Sequence, residues 1–487
     1  MTLPFDPAQV ARAAHERAEA SPVETVEVVP RFNGEAIAEA LTEIVPPEFA
    51  DDSLGLEFSR RFSPALRYVD KWGKWMAWDG KVWRQDNTLR VYDLVRRVCR
   101  VASAEAKGAV RQRLASGKTI AAVEKLVRSD RRHAATVEQW DSNPWLLNTP
   151  DGVLDLKTGE TGPHEADHHM TRITASSVGG ECPLWLAFLA KVTNKSTELC
   201  EYLQRVSGYC LTGLTTEHAM FFAYGTGRNG KGVFLNTLAA IMGDYGRISP
   251  VGTFTAATYD RHDAELAFLQ GARLVTAQET EEGRQWAEAR VKSLTGGDPI
   301  TAHFMRQDYF TFIPQFKLFI AGNHKPGLRN IDEAIKSRFN LVPFEVTIPK
   351  NERDIELPEK LRGEWPGILQ WAVDGCLAWQ RSGLQAPDVV RKATDNYFEA
   401  EDSMGLWIAE ACLTGEWRWG SSAELFKSWS AWARTAGEPA VSQKRFGDAL
   451  ESRGFPRKRK PGTGDRGFER ICLNVKPPVT DPPADWE

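Results

Sequence analysis

No apolar run in this 487-residue chain approaches the ~20 residues that a membrane-spanning helix needs, and nothing in it resembles a signal peptide. The seven cysteines, at 99, 182, 200, 210, 376, 412 and 472, include no C-x-x-C pair. That argues against a zinc ribbon and for scattered reduced thiols in a cytosolic protein. No segment repeats, which excludes a solenoid. What remains is an ordinary globular composition, 42% hydrophobic and 26% charged, long enough for roughly three domains.

Strong net charge is also lacking, at −4 for the whole chain, but the charge is unevenly spread. Residues 1–57 carry 12 acids and 3 bases, net −9; residues 58–132 carry 19 bases and 7 acids, net +12; residues 443–470 carry 9 bases and 4 acids, net +5. Two basic blocks in an acidic protein suggest local contact with a polyanion, although solvated helix faces explain the first block equally well. Within that block WGKWMAWDGKVWRQD (72–86) reads as a β-hairpin turning at Asp79-Gly80. Its tryptophans suit a small hydrophobic core better than base stacking. Basic helices follow over 89–132. A second hairpin-rich patch spans 143–160, with turns at Pro150-Asp151-Gly152 and Lys157-Thr158-Gly159.

The most informative stretch is HAMFFAYGTGRNGKGVFLNTL (218–238). An apolar strand, Met220 to Tyr224, ends in the loop Gly225, Thr226, Gly227, Arg228, Asn229, Gly230, Lys231, Gly232, Val233, which opens into a helical pattern. Strand, glycine loop and helix in that order form the setting of a phosphate-binding loop. Glycines let backbone N–H groups turn onto phosphate oxygens, the helix N-terminus adds positive partial charge, and Lys231 reaches the β- and γ-phosphates. These nine residues are the candidate ATP site. The Ser or Thr that normally follows the lysine, and that holds Mg²⁺, is missing: Gly232 stands there.

Further along, Leu274–Ala277 reads as a strand and Glu279 follows it, the expected position of an acid near the metal and attacking water. Gln278 stands where a double-acid motif would carry its metal ligand, so Glu279 is the candidate for Mg²⁺, with Glu281 in reserve. A third strand, Leu318–Ala321, ends at Asn323, whose amide can meet the γ-phosphate or position water. Arg338, in IDEAIKSRFNLVPF (331–344), suits an arginine finger acting from a neighbouring subunit.

With Lys231, Glu279, Asn323 and Arg338 assembled, the chain resembles the superfamily 3 helicase module of phage and plasmid primase-helicases, related to poxvirus-type primase-helicases. The resemblance covers about 54–475 and rests on 202–232 and 291–344. It implies that Lys231 is the Walker A lysine, Glu279 the Walker B acid, Asn323 the motif C sensor and Arg338 the trans-acting arginine. It implies a ring, expected to be a homohexamer, moving 3′ to 5′ on single-stranded and forked DNA with ATP and Mg²⁺. LTGGDPI (294–300) and AHFMRQDYF (302–310) resemble the segment carrying the hairpin that faces the channel, with His303, Met305 and Arg306 as DNA contacts. About 53 residues precede the resemblance, too few for a primase-polymerase domain, so a separate primase or initiator is expected.

The C-terminal segment resembles a winged-helix module. A helix over 423–437 precedes a recognition helix over 442–454 that carries Lys444 and Arg445. A basic wing, RKRKPGTGDRG (457–467), holds Arg457, Lys458, Arg459 and Lys460. The expected fold is α/β: a P-loop AAA+-like ATPase core, a mixed α+β N-terminal region and a C-terminal winged-helix-like domain. The expected divisions are a flexible acidic N-terminus (1–53), an α+β domain (54–180), the ATPase core (181–350), a helical region (351–420), the winged-helix-like domain (421–475) and a disordered tail (476–487). The function expected is an ATP-dependent DNA helicase of phage, prophage or plasmid replication, cytoplasmic in a bacterial host. The alternatives are an origin-binding initiator that uses ATP as an assembly switch, and a bifunctional primase-helicase.

Overall fold

A computed structural model describes residues 46–256, 264–278, 283–304, 308–328, 331–436, 442–460 and 462–474. The chain divides into two compact units, one of residues up to Trp75 plus Asp86–Ala134, the other of Met76–Gln85 plus Ala135 onward. No helix among the described residues is long and apolar enough to cross a membrane.

In the first unit, apolar residues recur at helical spacing. Helices α1 (Asp51–Phe62), α2 (Arg90–Glu105), α3 (Gly108–Leu114) and α4 (Gly117–Arg128) accompany strand β1 (Leu66–Val69). Val91, Val95, Val98 and Cys99 form one buried stripe on α2, and Ile120, Val123 and Val127 another on α4. Trp75 is buried there, its Nε1 donating to Glu124 Oε1 at 2.9 Å, and its ring edge-on to His133. The tryptophan is therefore core. Part of the basic block is neutralised within its own helices: Arg97 pairs with Asp93 at 2.9 Å and Arg128 with Glu124 at 2.6 Å. Arg90, Arg100, Lys107, Arg111 and Lys118 remain exposed.

In the second unit, residues 76–78 of β2 (Lys74–Trp78) pair with β3 (Trp83–Gln85), and the Asp79 carboxylate accepts from the backbone of Lys81 and Val82 in the turn. Strands β4 (Leu146–Thr149), β5 (Gly152–Asp155) and β6 (Glu160–Gly162) form an antiparallel sheet. The expected 54–180 domain is thus not one body. Residues 135–180 and the hairpin belong with the larger unit, tied there by the buried Asn148 and by a surface ion pair. The Asn148 amide donates to Lys81 O and Arg172 O, and Arg84 pairs with Asp244 at 3.0 Å.

The centre of this unit is a five-stranded, wholly parallel sheet in the order β13-β7-β12-β9-β8. Its members are β7 (Met220–Tyr224), β8 (Gly246–Ile248), β9 (Leu274–Gln278), β12 (Lys317–Gly322) and β13 (Phe339–Pro343). Both faces of the central strands are covered, so β7 and most of β12 read as continuous apolar runs rather than alternating ones. Phe221, Ala223, Phe319 and Ala321 face a core built with helices α5 (Pro183–Val192), α6 (Thr197–Leu211), α7 (Lys231–Met242) and, further along the chain, α12 (Trp365–Ser382). Met220, Phe222, Leu318 and Ile320 face the opposite core. Before that second core's remaining elements the chain forms a short helix α8 (Ala264–Ala267). It then forms α9 (Glu288–Gly296), the hairpin β10 (Ile300–His303) with β11 (Tyr309–Phe312), α10 (Glu333–Lys336) and α11 (Leu357–Arg362). Helix α13 (Asp388–Glu401) closes that core. Helices α6 and α12 touch backbone to backbone: a Cβ on Gly208 would lie 2.0 Å from Cys376 N.

Two cations are buried at the amino ends of the sheet. Arg273 donates to Leu211 O and Leu146 O, at 2.8 and 2.7 Å, and lies over the Tyr245 ring. Lys317 donates to Thr212 O and, at 3.3 Å, to Leu214 O and Gln315 O. Burial pushes the Lys317 pKa down to about 7 from an ordinary 10.5. The unfolded chain therefore binds the extra proton between those values, and stability gains from this group as pH rises from about 7 toward 10.5. Lys317→Met is expected to flatten the pH dependence of the unfolding free energy, measured by urea titration, across that window by up to about 1.4 kcal/mol per pH unit. Identical slopes in the two proteins would refute this.

The C-terminal module comprises α14 (Ser403–Ala411), β14 (Cys412–Ser421), α15 (Ser422–Thr435), α16 (Gln443–Ser452), β15 (Arg457–Arg459) and β16 (Arg466–Leu473), with sheet order β14-β16-β15. Met404 and Trp407 of α14 share its core with Trp429, Phe446 and Phe468. The module thus begins near 403 rather than 421, and the expected helical region gives way to strand at Cys412. The tail from 475 onward lies outside the described residues, as do residues 1–45.

Candidate functional site

Parallel register places the carboxyl ends of three strands level, with Tyr224, Gly322 and Gln278 at their tips. The loop 225–230 springs from the first tip and Asn323 from the second. Ligands of open parallel sheets bind outside these carboxyl ends. In the sheet β12 lies between β7 and β9, so the strand leading to Glu279 is not the neighbour of the loop strand. The inserted strand sets Asn323 beside the lysine.

Lys231, the first residue of α7, is buried, with 7% exposure. Its Nζ donates to Gly225 O at 2.8 Å, Asn229 Oδ1 at 3.0 Å and Asn323 Oδ1 at 3.2 Å. All three acceptors are neutral, and among the described residues no carboxylate pairs with it. Burial lowers its pKa. An ammonium so held, unneutralised at a helix N-terminus, is set to receive an anion. Asn229, itself buried, also donates through Nδ2 to Phe344 O at 2.6 Å, fastening the loop to the end of β13. This clamp was not visible in the sequence, where Asn229 is only one polar residue of a glycine loop.

The loop's glycines are demanded by close contacts. A Cβ on Gly225 would lie 2.1 Å from both Asn229 Nδ2 and Phe344 O. Gly230 has φ +86, and a Cβ there would lie 2.6 Å from Val192 of α5. Gly227 (φ +93) and Arg228 (φ +55) also take left-handed backbone, a feature of anion-binding concavities. Thr226 and Arg228 are exposed at the rim.

Gly232 differs: a Cβ there meets only Gln278 Oε1, at 3.6 Å, so the position has room for the absent hydroxyl. The Gln278 amide donates to Asn236 Oδ1 at 2.6 Å. Among the described residues no group of three or more His, Cys, Asp or Glu is placed to hold a metal ion. Glu279 and Glu281, the acids assigned to this place, lie outside the described residues.

Arg338 stands apart. It precedes β13, and its backbone carbonyl accepts from Met220 N at 2.6 Å, at the amino end of β7. A strand of five residues, about 16 Å, separates that edge from the loop. Within one chain the structure does not bring Arg338 to Lys231. Its Nη1 donates to Ala334 O, and its Nε is buried without a partner.

His303 ends β10, its ring 4.7 Å from that of Tyr309 and its Nδ1 buried without a partner. Met305 and Arg306 lie outside the described residues. Sequence reading missed Tyr309, which is 67% exposed beside His303; its alternation in YFTF was the available signal.

In the C-terminal module Lys444 and Arg445 are exposed on the first turn of α16. The expected basic wing is partly neutralised. Arg457 pairs with Asp448, and Lys458 with Glu469 at 2.5 Å, while Lys460 lies over the Trp419 ring at 5.3 Å. Arg459 is exposed.

Comparison with known proteins finds relatives at low identity. Residues 57–194 match the family described as D5 N terminal like, and residues 223–338 match a family of unknown function, DUF5906. The chain is similar to D5-like viral primase-helicases. It is 26% identical over 282 residues to "Putative helicase L207/L206" of Acanthamoeba polyphaga mimivirus, covering 53% of this chain and 29% of that protein. It is 26% identical over 252 residues to "Putative helicase 022R" of Frog virus 3 (isolate Goorha), covering 46% and 25%. The chain therefore spans less than a third of the length of these relatives. The apo structure of the NrS-1 C terminal region (305-718) aligns over 83% of this chain and 95% of that one, at 8% identity and a TM-score of 0.45. At that level the likeness carries no functional weight.

Proposed function

We propose that the chain contains the motor of an ATP-dependent, ring-forming DNA helicase of replication, with ATP bound by residues 225–233. The observation that carries this reading is Lys231: buried, unneutralised, and held jointly by the loop and by Asn323 from the next strand. The sheet order β13-β7-β12-β9-β8, with the loop strand inside it, supports an AAA+-like core. The succession α14-β14-α15-α16-β15-β16 supports the winged-helix reading, with Lys444 and Arg445 toward duplex DNA. Mg²⁺, when bound with ATP, would neutralise phosphate charge; Glu279, Gln278 and the phosphates themselves are the groups to hold it. His303 and Arg306 are proposed to contact the strand in the channel, and hexamers and 3′ to 5′ travel remain part of the proposal.

The amide at Gln278 and the glycine at 232 favour a second reading, an origin-binding initiator in which ATP drives assembly alone. Strand displacement separates the two. With ATP and Mg²⁺ the protein is expected to unwind a fork carrying a 3′ single-stranded arm, and Glu279→Gln to bind ATP yet leave the fork intact. ATP-dependent rings that never displace a strand would establish the initiator instead.

A further inference from the structure

Trp417 is 96% exposed, the most exposed large hydrophobic side chain among the described residues. Strand β14 pairs with β16 from Cys412 to Thr414 and again from Trp419 to Ser421. Between these stretches Gly415, Glu416, Trp417 and Arg418 stand opposite a single residue, Arg470. The four residues are therefore extruded from the ladder as a wide bulge. Bulges re-aim side chains and end pairing locally. Arg470, facing the bulge, takes φ +67, a left-handed conformation uncommon for a residue other than glycine, and it is exposed.

The base of the bulge is rigid. Trp419 lies flat on the neighbouring strand: a Cβ on Gly467 would fall 2.3 Å from Trp419 Cζ2, so only glycine admits the ring. Its Nε1 donates to Lys458 O at 3.3 Å, and the Lys460 ammonium covers the ring at 5.3 Å. One indole is thus fixed by the sheet and capped by a cation, while two residues away another is bare. Burying an indole in a core is strongly favourable, and leaving one in water forgoes that gain. Arg418 is next in sequence, Arg470 is the residue opposite the bulge in the ladder, and Lys460 lies over Trp419 two residues on. Glu416 is the acid within the bulge.

We propose that this bulge is a stacking platform for single-stranded DNA. A base lies on the Trp417 indole, and Arg418, Arg470 and Lys460 take the adjoining phosphates. An aromatic face flanked by cations is the chemistry that binds unpaired nucleotides without regard to sequence. A paired base offers no free face to it, so the platform discriminates strand from duplex, which the recognition helix does not. The inference rests on the reading of the chain as a DNA-binding protein, and wild-type binding tests that reading separately.

The experiment uses the full chain without nucleotide, a fluorescein-labelled oligothymidylate, and a hairpin duplex, read by anisotropy. Trp417→Ala is expected to raise the Kd for the single strand by about 5- to 150-fold, with the duplex Kd and the melting temperature unchanged. Trp417→Phe should recover most of the loss. Arg418→Ala should lower the salt slope for the single strand by about one phosphate contact, while Trp417→Ala should leave that slope alone. Ultraviolet crosslinking of a bromodeoxyuridine oligonucleotide should map to residues 415–418. An unchanged single-strand Kd in Trp417→Ala overturns the proposal, as does an equal loss on the duplex. A change in sedimentation coefficient with DNA binding intact would mean that a second copy covers the indole, and overturns it too. Failure of the wild type to bind either DNA would remove the DNA reading itself.

Discussion

Lys231→Ala protein is expected to hydrolyse ATP at least about 10²-fold more slowly than wild type and to bind nucleotide more weakly. The size follows from what the side chain gives up. Its ammonium is held by three neutral oxygens and faces no carboxylate among the described residues. The positive charge is therefore uncommitted, and in a buried setting it acts on an incoming anion far more strongly than a solvated charge would. Removing it also releases Asn229 and Asn323 from a shared partner, so loop and strand lose their common anchor. Lys231→Arg should not rescue: a planar guanidinium does not fit the three converging oxygens around one nitrogen. Phosphate release measured on the purified protein, with nucleotide affinity measured separately, checks both parts. Turnover at the wild-type rate would remove this loop from the reaction.

Arg338→Ala is expected to cut ATP turnover by about 10³-fold while leaving nucleotide affinity nearly intact. The placement of Arg338 at the amino edge of the sheet, a strand's length from the loop of the same chain, allows it no action on its own nucleotide. In a ring, the amino edge of one subunit can face the loop of the next. A mixture of Arg338→Ala with Lys231→Ala protein should therefore regain activity, since some interfaces pair an intact loop with an intact arginine. Mixed rings, verified by mass, that remain inactive would show that Arg338 does not act across an interface.

Several elements could be read from the chain because their signals are local. The strand Met220–Tyr224 and the loop to Lys231 are contiguous, and glycines at 225, 227 and 230 mark the backbone that the structure requires. The helix at 422–435, the helix at 443–452 and the basic strand at 457–459 each announce themselves by period or composition over a few residues. The hairpin at 76–85 did so through Asp79-Gly80. Boundaries were less legible. Strand β14 begins inside a stretch that reads as helical, and the module's first helix supplies Met404 and Trp407 to a core whose other half lies more than twenty residues on.

The phosphate-loop pattern, the missing hydroxyl at Gly232 and the uneven charge are legible in the chain alone, because each is carried by consecutive residues and ordinary chemistry. Which side chains meet depends on the assembled fold. It inserted β12 between β7 and β9, which brought Asn323 to Lys231 across 92 positions of sequence, and it put Arg338 at the far edge of the same sheet. It turned half of the basic wing into internal ion pairs and left Trp417 bare on a bulge. Strand order and ladder register are long-range properties: they follow from which faces of the sheet the helices bury, and no window of neighbouring residues contains that information.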